Sequence, residues 1–150
     1  MDRTLILFKP DAIQRGLVGT ILQRFENKGL KIAAMKMTQI PRELAERHYA
    51  EHRGKPFFEG VVGYIISGPV VAAVLEGPSA VPVVRAMLGP TDGRTAPAGT
   101  IRGDFGIAMR YNLLHASDSE ESARREIGIF FNEKELVDYD RDLQKWTWQV

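Results

Sequence analysis

The sequence predicts an α+β fold, a four-stranded antiparallel sheet covered by helices, in a single domain over residues 1–150. Three observations point to it. Short apolar runs alternate with stretches in which apolar residues recur every three or four positions. Breaks rich in glycine, proline and serine separate them. The 150 residues suffice for one core but not for two independent catalytic units.

Residues 4–8, Thr-Leu-Ile-Leu-Phe, read as the first strand. It stops at Lys9-Pro10-Asp11, because proline cannot donate to a central ladder, and Lys9 is thereby placed at a strand end. Val18, Ile21, Leu22 and Phe25 recur at helical spacing, and Lys28-Gly29 is a C-terminal stop. Residues 30–40 are mostly apolar, with Met35 and Met37 alternating against Lys36, and read as a second strand despite their alanines. Pro41 suits the first turn of a helix carrying Leu44, Ala45, His48 and Tyr49; Lys55-Pro56 opens another through Phe57, Val61 and Ile65. Ser67-Gly68-Pro69 breaks the pattern before a third strand at 70–75. Gly77-Pro78-Ser79 then restarts a helix with Val81, Val84 and Met87 inward.

From Gly89-Pro90 to Gly103 the chain reads as one long irregular loop, a length that usually serves function in a compact domain. Leu113-Leu114 lead as a strand into His115. Ser117, Asp118 and Ser119 are all N-cap residues, and Glu121 stands three after Asp118 as in a capping box. The last helix carries Ala123, Ile127 and Phe130 inward, and past Asn132 lies a polar tail with Trp146 and Trp148. This order of elements suggests a ferredoxin-like core.

The formal net charge is +1 with both signs interspersed, so no basic footprint marks a dedicated nucleic-acid surface. The absence of cysteine excludes disulfides, thiolate metal sites and cysteine nucleophiles. Met1 is followed by Asp2-Arg3, and no apolar run approaches a membrane span; a cytoplasmic protein without a membrane partner is the expectation.

His115 carries the chemistry. It sits where a strand hands over to a helix, and the unsatisfied N–H groups of a helix's first turn favour a phosphate nearby. A neutral imidazole is a good phosphoryl acceptor. On spacing alone, a structural histidine explains the position equally well. Glu126, seven after Ser119 in the following helix, is the candidate to orient the ring; a solvated helix glutamate is the alternative. Lys9, Arg85 and Arg102 occupy a strand end, a helix and the loop border, places from which cations can share a phosphate cleft, although each also reads as a surface charge. Phe57 and Phe58 offer a stacking face for a base, or core aromatics. His48 and His52 lie among charges and are assigned no chemistry. Neither G-x-x-x-x-G-K-[ST] nor G-x-G-x-x-G occurs, so a nucleotide would be held without the common phosphate loops.

Ordered motifs then match along essentially the whole chain: residues 4–11, Gln14-Arg15-Gly16-Leu17-Val18-Gly19, His48-Tyr49, Lys55-Pro56-Phe57-Phe58, Ser67-Gly68-Pro69-Val70, Gly99 to Phe105, and Asn112 to Asp118. On them the chain resembles the nucleoside diphosphate kinases. The resemblance implies transfer of the γ-phosphoryl of a nucleoside triphosphate to a nucleoside diphosphate, by a ping-pong route through a phosphohistidine at His115, maintaining NTP and dNTP pools. It further implies that Glu126 and Ser117 orient the imidazole. Lys9, Tyr49, Arg85, Thr91, Arg102 and Asn112 would hold phosphates and sugar hydroxyls, Lys9 also serving catalysis, and Phe57 would stack on the base. Mg2+ would arrive on the nucleotide phosphates, with no dedicated protein cage. ATP and other nucleoside di- and triphosphates would be the partners, and a homohexamer, with a homotetramer as alternative, the assembly. The chain departs from the family pattern at Ala116, where glycine is common and a methyl would clash if the backbone needed φ > 0. It departs too at Met109-Arg110-Tyr111, near the nucleotide, and at Gly93 and Ala98, where many relatives have proline.

Overall fold

A computed structural model describes residues 1–149. The N-terminal apolar run forms β1 (Asp2–Phe8), which pairs on one side with β3 (Val70–Gly77) and on the other with β4 (Leu114–Ala116). β2 (Lys31–Thr38) pairs with the far side of β3. The order is therefore β2-β3-β1-β4 with every neighbour antiparallel, the ferredoxin-like arrangement expected from the element order.

Helices cover both faces of the sheet, which is why β1 and β3 are nearly unbroken apolar runs. Along β1 the side chains alternate. Ile6 and Phe8 pack with Ile21 and Phe25 of α2 (Val18–Lys28) and Val84 and Leu88 of α5 (Ala80–Leu88). Leu5 and Leu7 pack with Ala45 of α3 (Arg42–His48), Val62 and Ile65 of α4 (Phe58–Ile65) and Phe130 of α7 (Glu120–Phe130). Each such fully buried side chain stabilises the fold by about 1.5–3 kcal/mol over the exposed state. The register then positions the site. His115 lies directly opposite Leu7, and opposed residues share a face, so the imidazole projects toward α3 and α7 while Leu114 and Ala116 bury on the other side.

Several elements differ from the sequence expectation. Pro10–Gln14 is a short helix, α1, with Pro10 in its first turn; five residues are too few for an apolar period to register. The 89–103 loop ends sooner than expected. Thr100 caps a second short helix, α6 (Ile101–Phe105), its hydroxyl accepting from the Gly103 N–H at 3.0 Å. The cap of α7 is Ser119, not Asp118: Ser119 is extended at φ −154° and its Oγ accepts from Ser122 N–H at 3.0 Å, so the Asp118–Glu121 capping box is not formed. His115 consequently lies within β4, with Ser117 to Ser119 between it and the helix.

The backbone requires glycine at Gly29 and Gly93, among other positions. Gly29 ends α2 at φ +104°, and the bonds Gly29 N–H to Glu26 C=O and Leu30 N–H to Phe25 C=O complete a Schellman cap. Gly93 packs against Gly106, whose carbonyl oxygen would lie 2.4 Å from any added Cβ, so a side chain there would force the loop apart. Beyond Asn132 the tail is anchored rather than merely polar. Trp148 is buried and donates to the Gly29 carbonyl at 2.8 Å, and the buried Lys31 pairs with Glu76 beneath it at 2.9 Å; Trp146 stays exposed.

Candidate active site

His115 meets its expected partners. Its Nε2 lies 2.9 Å from Glu126 Oε1, an oxygen that also accepts from Ser117 Oγ at 2.7 Å. Ser117 is itself fixed to β1: its Oγ accepts from Leu5 N–H at 3.3 Å and its N–H donates to the Leu5 carbonyl at 3.1 Å. Glu126 is buried on α7, one turn before Phe130, because that helix turns the same face to the sheet. Burial alone would push its carboxyl up, but the hydrogen bonds and charge of His115 and the Ser117 hydroxyl hold it down at about 2. A carboxylate acceptor on Nε2 requires the proton of a neutral ring to be there, which leaves the lone pair on Nδ1.

Five of the seven nucleotide-binding candidates line a cleft of about 260 Å³, from which Arg85 and Arg102 are absent. Lys9, Tyr49, Phe57, Thr91 and Asn112 line it, together with Val61, Tyr64, Met109 and Arg110. Lys9 Nζ donates to Asn112 Oδ1 at 2.9 Å, and Asn112 Nδ2 donates to the Met109 carbonyl at 2.9 Å. Burial, then repulsion from Arg102, lowers the Lys9 ammonium to about 8. Burial and then the Glu126 charge push the Tyr49 phenol up to about 12. Phe57 is half exposed at the cleft mouth, in edge contact with His52 at 5.1 Å; Phe58 is buried in the core.

The two arginines behave differently. Arg85, exposed on α5, reaches the Ala116 carbonyl at 3.5 Å. Arg102 is buried, and its fork binds three backbone carbonyls: Asn112 at 3.1 Å, Leu114 at 2.7 Å and Gly89 at 3.2 Å. Desolvation, then the nearby Arg85, lowers it to about 10. Three of a guanidinium's N–H donors are thus spent on tying the end of α5 to the start of β4, leaving about two for a ligand.

Ala116 is accommodated without strain, because positive φ among non-glycine residues is confined, in the described residues, to Ser79 and Leu113. The left-handed residue of this segment is Leu113, at φ +78°. Sequence reading also missed His48. Its ring is buried, edge-on to His115 at 4.7 Å between ring centres, and packed on Tyr49 and Phe130. Neither ring nitrogen has a hydrogen-bond partner among the described residues. Burial, then the charge of His115, pushes it down to about 3, so it is neutral at any physiological pH. Only its place beside Tyr49 in a matched motif singled it out, since a histidine amid charges on a short helix gives no pattern of its own.

Comparison with known proteins agrees with this geometry. Residues 2–136 match the family model described as nucleoside diphosphate kinase. The nucleoside diphosphate kinase of Desulforamulus reducens is 55% identical over 149 residues, 99% of this chain and 100% of that protein. That of Archaeoglobus fulgidus is 54% identical, covering 99% of each. Among solved structures, the halophilic nucleoside diphosphate kinase from Halobacterium salinarum in complex with CDP superposes with a TM-score of 0.96 at 50% identity, covering 99% of both chains. The Aquifex aeolicus nucleoside diphosphate kinase gives 0.87 at 47% identity, covering 91% of this chain and 99% of its own.

Proposed function

The chain belongs to the nucleoside diphosphate kinase family, enzymes that move a terminal phosphate between nucleoside tri- and diphosphates, and from that premise we propose a ping-pong transfer through phosphorylated His115. The observation that carries the reading is the hydrogen bond from His115 Nε2 to Glu126, which places the reactive lone pair on Nδ1. In the first half-reaction Nδ1 attacks the γ-phosphorus, the bond from phosphorus to the bridging oxygen breaks, and the diphosphate leaves with that electron pair. A terminal phosphate oxygen of the second nucleotide then attacks the same phosphorus and expels the imidazole. The imidazole gains positive charge as it is phosphorylated, and the Glu126 carboxylate stabilises it there.

Lys9, Arg85 and Arg102 neutralise the moving phosphoryl group, Asn112 and Thr91 supply polar contacts, and Tyr49 borders the path to His115. Phe57 stacks on the base. Stacking without edge recognition tolerates every base, consistent with a relative captured with CDP. Two carboxylates near the site are committed to protein donors, Asp11 to Tyr64 and Leu113, Glu126 to His115 and Ser117. This donor set fits Mg2+ carried on the nucleotide's own phosphates, where it would offset their charge.

The role served is balancing NTP and dNTP pools, with the cytoplasm as the proposed compartment; no helix of the described residues is long and apolar enough to cross a membrane. We also propose a homohexamer, supported by Met35 and Met37, which stand exposed on the open edge strand β2. Sedimentation mass tests it. Incubation with γ-labelled ATP should give an acid-labile phosphoprotein whose label moves quantitatively to added GDP. Label that stays on the protein, or a His115→Ala chain that still turns over, contradicts the mechanism.

A further inference from the structure

Two residues before His115 the backbone makes a turn that leucine disfavours. Leu114 N–H donates back to the Asn112 carbonyl at 3.0 Å, closing a three-residue turn whose central residue, Leu113, sits at φ +78°. That sense of γ-turn is rare and strained for an L-residue with a branched side chain, and persists only where its surroundings over-determine it. Here all three carbonyls of the turn, and the Leu113 and Leu114 N–H groups, are held. Arg102 binds the Asn112 and Leu114 carbonyls, and Lys9 N–H binds the Leu113 carbonyl at 2.9 Å. The Leu113 N–H donates to Asp11 Oδ2 at 3.1 Å.

Asp11 is the one member of this clamp that no role yet accounts for. Its other carboxylate oxygen, Oδ1, accepts from the Tyr64 hydroxyl, and that hydroxyl accepts in turn from the Asp11 backbone N–H at 3.1 Å. Tyr111 closes over the Tyr64 ring edge-on at 5.5 Å. The carboxylate is therefore fixed from two sides and aimed at a single amide.

We propose that Asp11, braced by Tyr64, is a positioning residue for phosphoryl transfer: it holds Leu113 in its left-handed turn, and so sets Asn112 toward Lys9 and His115 toward Glu126. Neither Asp11 nor Tyr64 needs to touch the phosphoryl group. Without the carboxylate the Leu113 N–H loses its acceptor, the turn relaxes toward negative φ, and the flanking side chains leave their aligned positions.

The role rests on His115 being the phosphorylated group, and the test separates the two. Rapid-quench labelling with γ-labelled ATP gives the rate constant of phosphoenzyme formation independently of how much protein is active. Asp11→Ala should lower that constant at least ~10-fold, equivalent to about 1.4 kcal/mol. Tyr64→Phe alone should lower it about threefold, and add nothing further in the Asp11→Ala background, as expected for groups acting through one contact. Glycine adopts φ > 0 freely, so Leu113→Gly should recover about threefold or more in the Asp11→Ala chain. Should that core substitution fail to fold, the Tyr64 cycle decides alone. Labelling of Asp11→Ala at the wild-type rate, or Asp11 and Tyr64 effects that simply multiply, overturns the proposal. A wild-type chain that takes up no label fails the phosphohistidine reading instead.

Discussion

Replacing Glu126 with glutamine keeps the side chain's size and one acceptor oxygen but removes its charge. The carboxyl is held at about 2 against an ordinary 4.5, which corresponds to about 3 kcal/mol of native-state stabilisation at neutral pH, at roughly 1.4 kcal/mol per pH unit. Because the folded value is depressed, this contribution is fully present above the unfolded value of 4.5 and is lost as pH falls from there to about 2. More than half is gone by pH 3. Urea unfolding of both chains between pH 7 and pH 3 measures it. Glu126→Gln should be less stable by about 3 kcal/mol at pH 7, and the gap should narrow to roughly 1 kcal/mol at pH 3. In parallel, kcat should fall at least ~10-fold, since the imidazolium formed on phosphorylation loses its counter-charge. Equal stability at pH 7, or a gap that does not change with pH, would refute the reasoning.

Burial, then Arg102, lowers the Lys9 ammonium to about 8, and an arriving phosphate favours its charged form, so ADP binding at pH 8.5 should take up a proton. Calorimetry in buffers of different ionisation enthalpy reads that uptake, which should vanish in Lys9→Met; equal uptake in both chains would remove Lys9 from the phosphate site. Phe57→Ala should weaken every nucleotide alike, by about 1–3 kcal/mol, and a loss confined to one base in competition assays would contradict stacking. Ala116→Gly should leave kcat within about twofold and lower stability by roughly 0.5–1 kcal/mol, because position 116 does not use left-handed backbone. A large gain in kcat would show instead that the alanine methyl obstructs the nucleophile.

The parts of the fold that were legible in the sequence are those in which one physical signal acts alone. β1 and β3 are buried on both faces and so read as continuous apolar runs. α2 and α7 lie on the sheet with one face and show it as spacing. The short helices at Pro10 and Ile101 escaped because they are set by a proline and a threonine cap rather than by periodicity. The cap of α7 fell one residue late because three consecutive residues can each serve, and only the backbone geometry selects Ser119.

Much the same division runs through the site. Glu126 could be proposed from its helical position relative to β4, and Ser117 from the resemblance. His48 and the Asp11–Leu113 contact could not be read, since each depends on packing between segments some 67 and 102 residues apart. Arg102 was legible as a cation, but its grip on three carbonyls was not, because backbone acceptors leave no mark in the sequence.

The central claim is that His115 attacks through Nδ1 while Glu126 holds Nε2. Nuclear magnetic resonance of the phosphoenzyme, labelled with ¹⁵N at histidine and kept at alkaline pH, reports which ring nitrogen bears phosphorus. The geometry predicts one phosphoryl group, on Nδ1 of His115; phosphorus on Nε2, or on any other residue, would contradict it.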